Sequence, residues 1–444
     1  MKQTITVSHA VRALDALDKI DLQSRINNVN ARTPVHVVYG GADRFKANTP
    51  QKLGQLALKS LHEYAPNPEK FSAFFDLNRE IANIVYERVL QKLETEAVED
   101  FRIDFEDGYG FRSDDEEDAH AILASDELAQ AVGEKTISPF CGFRIKSFQS
   151  ETARRAIRTL DIFLTNLLEK TAGNLPENFV VTLPKVENPT QVAILAQLLE
   201  KFELAANLLE KSLKLEILIE TARAIVNEKG EIGLRKLVEA GDGRCVAAHF
   251  GAYDFTSSFG ITTEYQDLNH PLCDFAREWM QIALAPLGLR LSDSVTTLLP
   301  VPVHKGENLT AEQSEENREA VRTAWRVHFQ NVTRSLSNGF YQSWDLHPAQ
   351  LIARYAAVYA FFLNSLESSA RRLRGFVDKS TQAMLTGNQF DDAASANGLL
   401  NFFNRALACG ALSQAEVLEK TNLSLEELRS GSFARIVAAR KANL

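Results

Sequence analysis

Short apolar runs alternate with long amphipathic segments along most of this chain, and that alternation is its strongest constraint. The runs are 34–40, 101–107, 141–147, 179–185, 215–221, 245–251, 297–303 and 340–347. Two of them, Phe179-Val180-Val181-Thr182-Leu183 and Leu215-Glu216-Ile217-Leu218-Ile219, are apolar on both faces. Such runs suit parallel strands covered by helices, not strands with a wet face. The segments between them repeat their apolar residues at helical spacing, as in 152–169, 189–209, 312–337 and 348–373. Asn188-Pro189-Thr190 reads as a helix start, because proline is tolerated in a first turn. The aromatic stripes Trp325/Phe329 and Tyr355/Tyr359/Phe362 read as packing. Eight strand-then-helix units in series predict a (β/α)8 TIM barrel.

The chain exceeds a minimal barrel in three places. Residues 1–32 predict N-terminal helices, 45–98 predict two or three helices inserted after the first strand, and 376–444 predict a helical extension. The barrel with its additions is therefore expected to span 1–375. In the extension, Ser413-Gln414-Ala415-Glu416 and Ser424-Leu425-Glu426-Glu427 carry capping-box signals. Its apolar residues (Leu399, Leu400, Phe402, Phe403, Leu407) need a partner surface, on this barrel or a neighbour, and a homo-oligomer is expected.

A net charge of −9 argues against nucleic acid as the main partner. Four widely spaced cysteines (Cys141, Cys245, Cys273, Cys409) suggest buried thiols in a reducing compartment. With neither a secretory signal nor a membrane-length apolar run visible, a cytoplasmic enzyme is the expected class.

In this architecture chemistry belongs at the carboxyl ends of the strands. The runs end in Asp43-Arg44, Glu106-Asp107, Arg144-Ile145-Lys146, Lys185-Val186-Glu187, Glu220-Thr221, Tyr253-Asp254 and Asp345-Leu346-His347. Period-two alternation puts Asp104 and Glu106 on one face of the second strand. Carboxylates without cysteine and with few histidines suit a hard cation, Mg2+ or Mn2+. An arginine fork suits a substrate carboxylate or a developing oxyanion. Together they can stabilise an enolate.

In order, the chain shows Asp-Phe-Glu-Asp-Gly, Phe-Arg-Ile-Lys, Leu-Pro-Lys-Val-Glu, Ile-Glu-Thr, Gly-Ala-Tyr-Asp and Leu-His-Pro-Ala-Gln, each at a predicted strand end. This series resembles the citrate lyase beta-subunit and HpcH/HpaI aldolase superfamily, which has a phosphoenolpyruvate/pyruvate-type barrel. Val-Tyr-Gly-Gly-Ala-Asp-Arg-Phe and Gln-Ser-Trp-Asp-Leu-His-Pro-Ala-Gln resemble an aldolase-like bacterial branch of it. The resemblance covers most of residues 34–350.

It implies a divalent-metal-dependent carbon–carbon lyase or aldolase that works on a small keto or hydroxy acid, or its CoA thioester, through a metal-stabilised enolate. Glu220 and Asp254 would be the metal ligands. Arg144 would face the keto or thioester oxygen, with Gly251 and Ala252 beside the substrate. Glu106 and Asp107 would sit behind the metal and hold its waters. Lys185 would supply charge balance more than a Schiff base. Asp43, His347 or a water would take the proton, and Asp391 from a neighbouring subunit's tail would complete the site.

Structural roles compete with several of these. Glu220 and Asp254 could be helix-start acids, Lys185 and Glu187 an ion pair, His347 a helix-start residue and Asp391 a helix cap. Two other functions compete with the lyase: phosphoryl transfer or hydrolysis on phosphoenolpyruvate, and a non-catalytic barrel subunit.

Overall fold

The computed structural model describes residues 32–378, 384–386, 389–391 and 393–430, together with Ser8, Val11, Arg12, Leu14, Asp15, Arg435, Ile436 and Arg440. Eight parallel strands close into a barrel: β1 (His36–Gly41), β2 (Asp100–Asp104), β3 (Phe140–Arg144), β4 (Phe179–Leu183), β5 (Lys214–Ile219), β6 (Cys245–Phe250), β7 (Arg290–Val295) and β8 (Gln342–Asp345). Closure comes from β8 pairing with β1, where Ser343 lies opposite His36 and Asp345 opposite Val38. The (β/α)8 barrel expected from the alternation is the observed fold.

The expected run 297–303 is not a strand; β7 is Arg290-Leu291-Ser292-Asp293-Ser294-Val295. Polar residues disguised it, and the central one, Asp293, is satisfied by buried partners. Asp293 Oδ1 accepts from Arg277 (3.1 Å) and Oδ2 from Ser335 Oγ (2.6 Å). The apolar 297–303 stretch carries Pro300 and Pro302, which cannot donate to a ladder, and Leu298 and Val303 are exposed. The second strand also ends earlier than expected, at Asp104, so Glu106 lies in the following turn instead of sharing a strand face with Asp104.

Residues 45–98 form three helices, Thr49–Tyr64, Pro68–Phe75 and Arg79–Thr95. They dock on the outer helix layer. The Phe74 ring lies 5.2 Å from Trp325, Phe75 lies 5.3 Å from Phe329, and Tyr355 Oη donates to Ala97 O at 3.0 Å. The aromatic stripes are thus packing surfaces. The helix expected to begin at 348 is Gln350–Asp378, and the extension contributes Ala393–Ala408, Gln414–Thr421 and Leu425–Arg429. Ser413 and Ser424 complete the capping boxes with Glu416 and Glu427. Leu399, Leu400 and Phe403 are buried within this chain, and the Phe402 ring lies 5.4 Å from Phe362. The N-terminal helices expected over 1–32 lie largely outside the described residues.

The barrel interior is charged. Arg102 is buried, donates to Glu216 through Nε (2.7 Å) and Nη2 (2.9 Å), and also pairs with Asp100. Thr182 Oγ1 donates to Glu216 Oε1 at 2.6 Å, and His249 Nε2 lies 3.0 Å from Glu216 Oε2. Gln342 Nε2 closes the network on Asp100 Oδ2 at 3.0 Å. Buried charges persist when each is paired and hydrogen-bonded, which this network achieves across β2, β4, β5, β6 and β8. All four cysteines are free and buried. Among the described residues no helix is long and apolar enough to cross a membrane.

Candidate active site at the carboxyl rim

Strand alternation carries Asp104, Arg144, Glu220 and Gly251 to the inner rim above the buried network. The key pair is Arg144 and Asp104. Arg144 Nε and Nη2 donate to Asp104 Oδ1 and Oδ2 at 2.7 and 2.6 Å. Asp104 also accepts from the Glu106 N–H (3.0 Å) and the Gly108 N–H (2.7 Å), so it anchors the turn as well. A Cβ at Gly108 would stand 2.6 Å from Asp104 Oδ2, which explains a glycine there. The remaining guanidinium nitrogen, Nη1, lies 3.3 Å from Glu106 and 3.7 Å from Asp107. Beneath it the Tyr39 and Trp344 rings stack at 4.5 Å, and the Arg144 Cζ sits 4.7 Å from the Tyr39 ring. A cation over an aromatic face is favourable, so the guanidinium is fixed from below and from one side.

Glu220 and Asp254 come to the same rim. Glu220 is buried, and its Oε1 accepts the Lys185 N–H at 2.6 Å. Gly251 makes room for it: a Cβ there would lie 2.6 Å from Glu220 Cβ and 2.7 Å from Oε2. The Ala252 N–H donates to Ser294 Oγ at 3.0 Å and sets the first turn of the helix Ala252–Ser257, from which Asp254 projects. Lys185 Nζ lies among three acids: 2.6 Å from Glu106, 3.0 Å from Asp107 and 3.8 Å from Asp254.

The electrostatics follow from this crowding. Burial, reinforced by the Asp254 charge, pushes the Glu220 carboxyl up to about 8. Burial pushes Glu106 up to about 7 against the pull of Arg144, with Asp107 adding to the rise. Asp254 is raised by its partial burial, with Asp107 adding to the rise and Lys185 opposing it. For Asp107, burial is outweighed by its hydrogen bond with Glu106 and by the charges of Arg144 and Lys185, and it is held below the ordinary value. Burial would lower Lys185, but its acid neighbours raise it, so it stands as an ammonium and not as the free amine a Schiff base requires.

These carboxyls outnumber Arg144 and Lys185, and a bound cation would favour the charged forms of Glu220 and Glu106 that burial disfavours. Among the described residues no three His, Cys, Asp or Glu side chains converge to cage an ion. Two carboxylates suffice for Mg2+, which keeps several of its waters. Glu220 and Asp254, with Glu106 and Asp107 close by, fit that ion.

The other candidates are held by partners of their own. Asp43 accepts from Arg112 at 3.2 Å and lies 3.8 Å from Arg44, and its Oδ1 has no hydrogen-bond partner. His347 Nδ1 accepts the Ala349 N–H at 3.2 Å at the start of the last barrel helix. Its neutral ring therefore carries the proton on Nε2 and can donate but not accept there. Asp345 faces outward, held by Arg354 at 2.7 Å and His328 at 2.9 Å. Asp391 ends a short strand paired with Met384–Thr386, and its side chain lies outside the described residues.

Sequence reasoning left the anchoring role of Asp104 and the floor of Tyr39 and Trp344 unassigned. Strand periodicity carries the signal: Tyr39 and Trp344 occupy inward positions of β1 and β8. A cavity of about 460 Å³ lined by Lys92, Glu99, Leu407 and Arg429 lies at the opposite, amino end of the barrel, away from all of these.

The fold and rim together define a (β/α)8 barrel with an arginine–carboxylate site at the carboxyl ends of its strands. The chain belongs to the family described as Domain of unknown function (DUF6986), whose model matches residues 23–436. Among solved structures it is similar to a citrate lyase from Burkholderia xenovorans LB400, at 18% identity and a TM-score of 0.56, covering 90% of this chain and 99% of that one. It also matches a Haloferax volcanii malate synthase (14% identity, TM-score 0.46, 73% and 74% covered) and the CitE protein of Mycobacterium tuberculosis in complex with magnesium and acetate (16%, 0.40, 74% and 92%). No curated protein matches.

Proposed function

We propose that the protein is a divalent-metal-dependent carbon–carbon lyase or aldolase acting on a small keto or hydroxy acid. One observation carries this reading: a buried arginine, locked by a bidentate aspartate, turns its remaining nitrogen toward Glu106 and Asp107 on the rim that also holds the Glu220 and Asp254 carboxyls. The barrel it shares with the Burkholderia citrate lyase is consistent with it.

Glu220 and Asp254 would hold Mg2+ or Mn2+. When bound, the ion supplies Lewis-acid polarisation of the keto-acid unit. Arg144 stabilises the oxygen on which enolate charge develops, and its fixed orientation means that little reorganisation is needed at that moment. Asp104, Tyr39 and Trp344 hold that orientation. Asp43 Oδ1, buried and without a hydrogen-bond partner, would accept the hydroxyl proton, and His347 Nε2 would donate to the substrate. Asp391 of a second copy would complete the site.

The test is incubation with Mn2+ and a panel of short hydroxy acids and their CoA thioesters, with carbonyl products followed by NMR. Cleavage is expected in the wild type and absent in Glu220→Gln and Asp254→Asn, both of which should also lose Mn2+ binding. If either variant binds Mn2+ with native affinity, the ligand assignment is wrong. If the panel is untouched and phosphoenolpyruvate releases phosphate instead, the reaction class is wrong.

A further inference from the structure

We infer that Lys185 is a built-in competitor for the divalent ion: its ammonium balances the rim carboxylates when no ion is bound and sets how tightly an ion can bind. The inference rests on Glu220 and Asp254 being the ion's ligands.

Lys185 follows β4 with φ of 50°, in the left-handed region that side chains seldom adopt. Such a conformation persists where surrounding contacts over-determine it. Here both ends of the residue are held: the main-chain N–H by Glu220 Oε1 at 2.6 Å, and Nζ by Glu106 at 2.6 Å and Asp107 at 3.0 Å. One residue thus ties the turn after β2 to Glu220 at the end of β5, and its charge lies 3.8 Å from Asp254 on the helix after β6.

The charge count shows why. Among the described residues, the five carboxyls of Asp104, Glu106, Asp107, Glu220 and Asp254 stand against two cations, Arg144 and Lys185, and Arg144 gives two of its nitrogens to Asp104. Lys185 is therefore the cation on the open side of the cluster. A compact ammonium on a flexible stem is a point charge, not a planar fork, so its pull on three acids resembles that of a small ion. A divalent ion on Asp254 would meet this positive charge within a few ångströms in a partly buried site, where such repulsion is weakly screened. The protein would then stay assembled without metal, and metal would load by overcoming Lys185.

Mn2+ titration calorimetry on the full chain tests this, comparing wild type with Lys185→Met, Lys185→Arg and Glu220→Gln. Removing the charge should tighten Mn2+ binding on the order of tenfold, whereas Lys185→Arg should stay near wild type. Lys185→Met without ion should melt below wild type and recover when Mn2+ is added. If Lys185→Met folds poorly, Lys185→Gly suits the positive φ, keeps the N–H to Glu220 and is read by the same criterion. Unchanged or weaker binding in the neutral variants, with Glu220→Gln still abolishing it, overturns the competition while the site assignment stands. Equal tightening in Lys185→Arg overturns it too, because charge would not be the cause. Native Mn2+ binding by Glu220→Gln would remove the site assignment and this inference together.

Discussion

Arg144 shows how much one side chain depends on its neighbours. An arginine at a strand end can point in many directions; this one is aimed by the two hydrogen bonds it donates to Asp104 and by a stacked ring pair below. Gly251 matters as sharply, because its missing side chain is the space Glu220 occupies. Gly251→Ala should cost about 1–3 kcal/mol from overpacking and weaken Mn2+ binding. Urea unfolding and calorimetry check both effects, and a variant unchanged in both would contradict the close approach. Arg102→Met should cost more, about 3–5 kcal/mol, because it leaves Asp100 and Glu216 buried without their cation. A native urea midpoint for that variant would mean that the barrel interior is not held by this pair.

Between elements, the seams carry polar networks that no periodicity reveals. Asp345 of β8 joins Arg354 and His328 of the two outer helices, while His36 of β1 lies 3.5 Å away. Burial would raise the Asp345 carboxyl, but the Arg354 charge and the His328 hydrogen bond outweigh it and hold it well below the carboxylate range. Burial lowers both imidazoles, against the pull of Asp345. Groups depressed in the folded state add stability that is present above their unfolded values and lost as pH falls below them. The histidine contribution should therefore fade below about pH 6.5, and the Asp345 contribution below about pH 3.9. Urea midpoints at pH 7.5, 6 and 5 should fall progressively, and His328→Asn should flatten that dependence. A midpoint flat from 7.5 to 5 would mean that these histidines are not buried as neutral rings. β7 belongs to the same lesson: Asp293 and its serines hide the strand until Arg277 and Ser335 are seen against Asp293.

Across the whole molecule, the extension closes back on the barrel. Arg88 of the inserted helices pairs with Glu416 and donates to the Ala411 carbonyl, and Arg374 donates to the Lys420 carbonyl. Phe403 is fully buried between these layers. Phe403→Ala should destabilise the protein by about 3–5 kcal/mol, seen as a lower urea midpoint. A loss under 1 kcal/mol would mean that the extension packs loosely on the barrel. The apolar face that raised the expectation of an oligomer is covered by this chain itself, so light scattering is needed to establish assembly on its own terms.

Local chemistry was enough to indicate the barrel, an insertion of two or three helices after β1 and the capped tail helices, and it named acids and an arginine that the closed barrel brings to its carboxyl rim. Strand and helix periods, caps and motif order are properties of neighbouring residues, and they can be read without coordinates. The charged interior, the aromatic floor, the outward turn of Asp345 and the place of Lys185 among three acids were decided only on closure. Most depend on partners far apart in the chain, such as Arg102 with Glu216 or Lys185 with Glu106. A polar residue in a strand looks like a surface residue until the partner that satisfies it is brought alongside, and only the closed barrel does that.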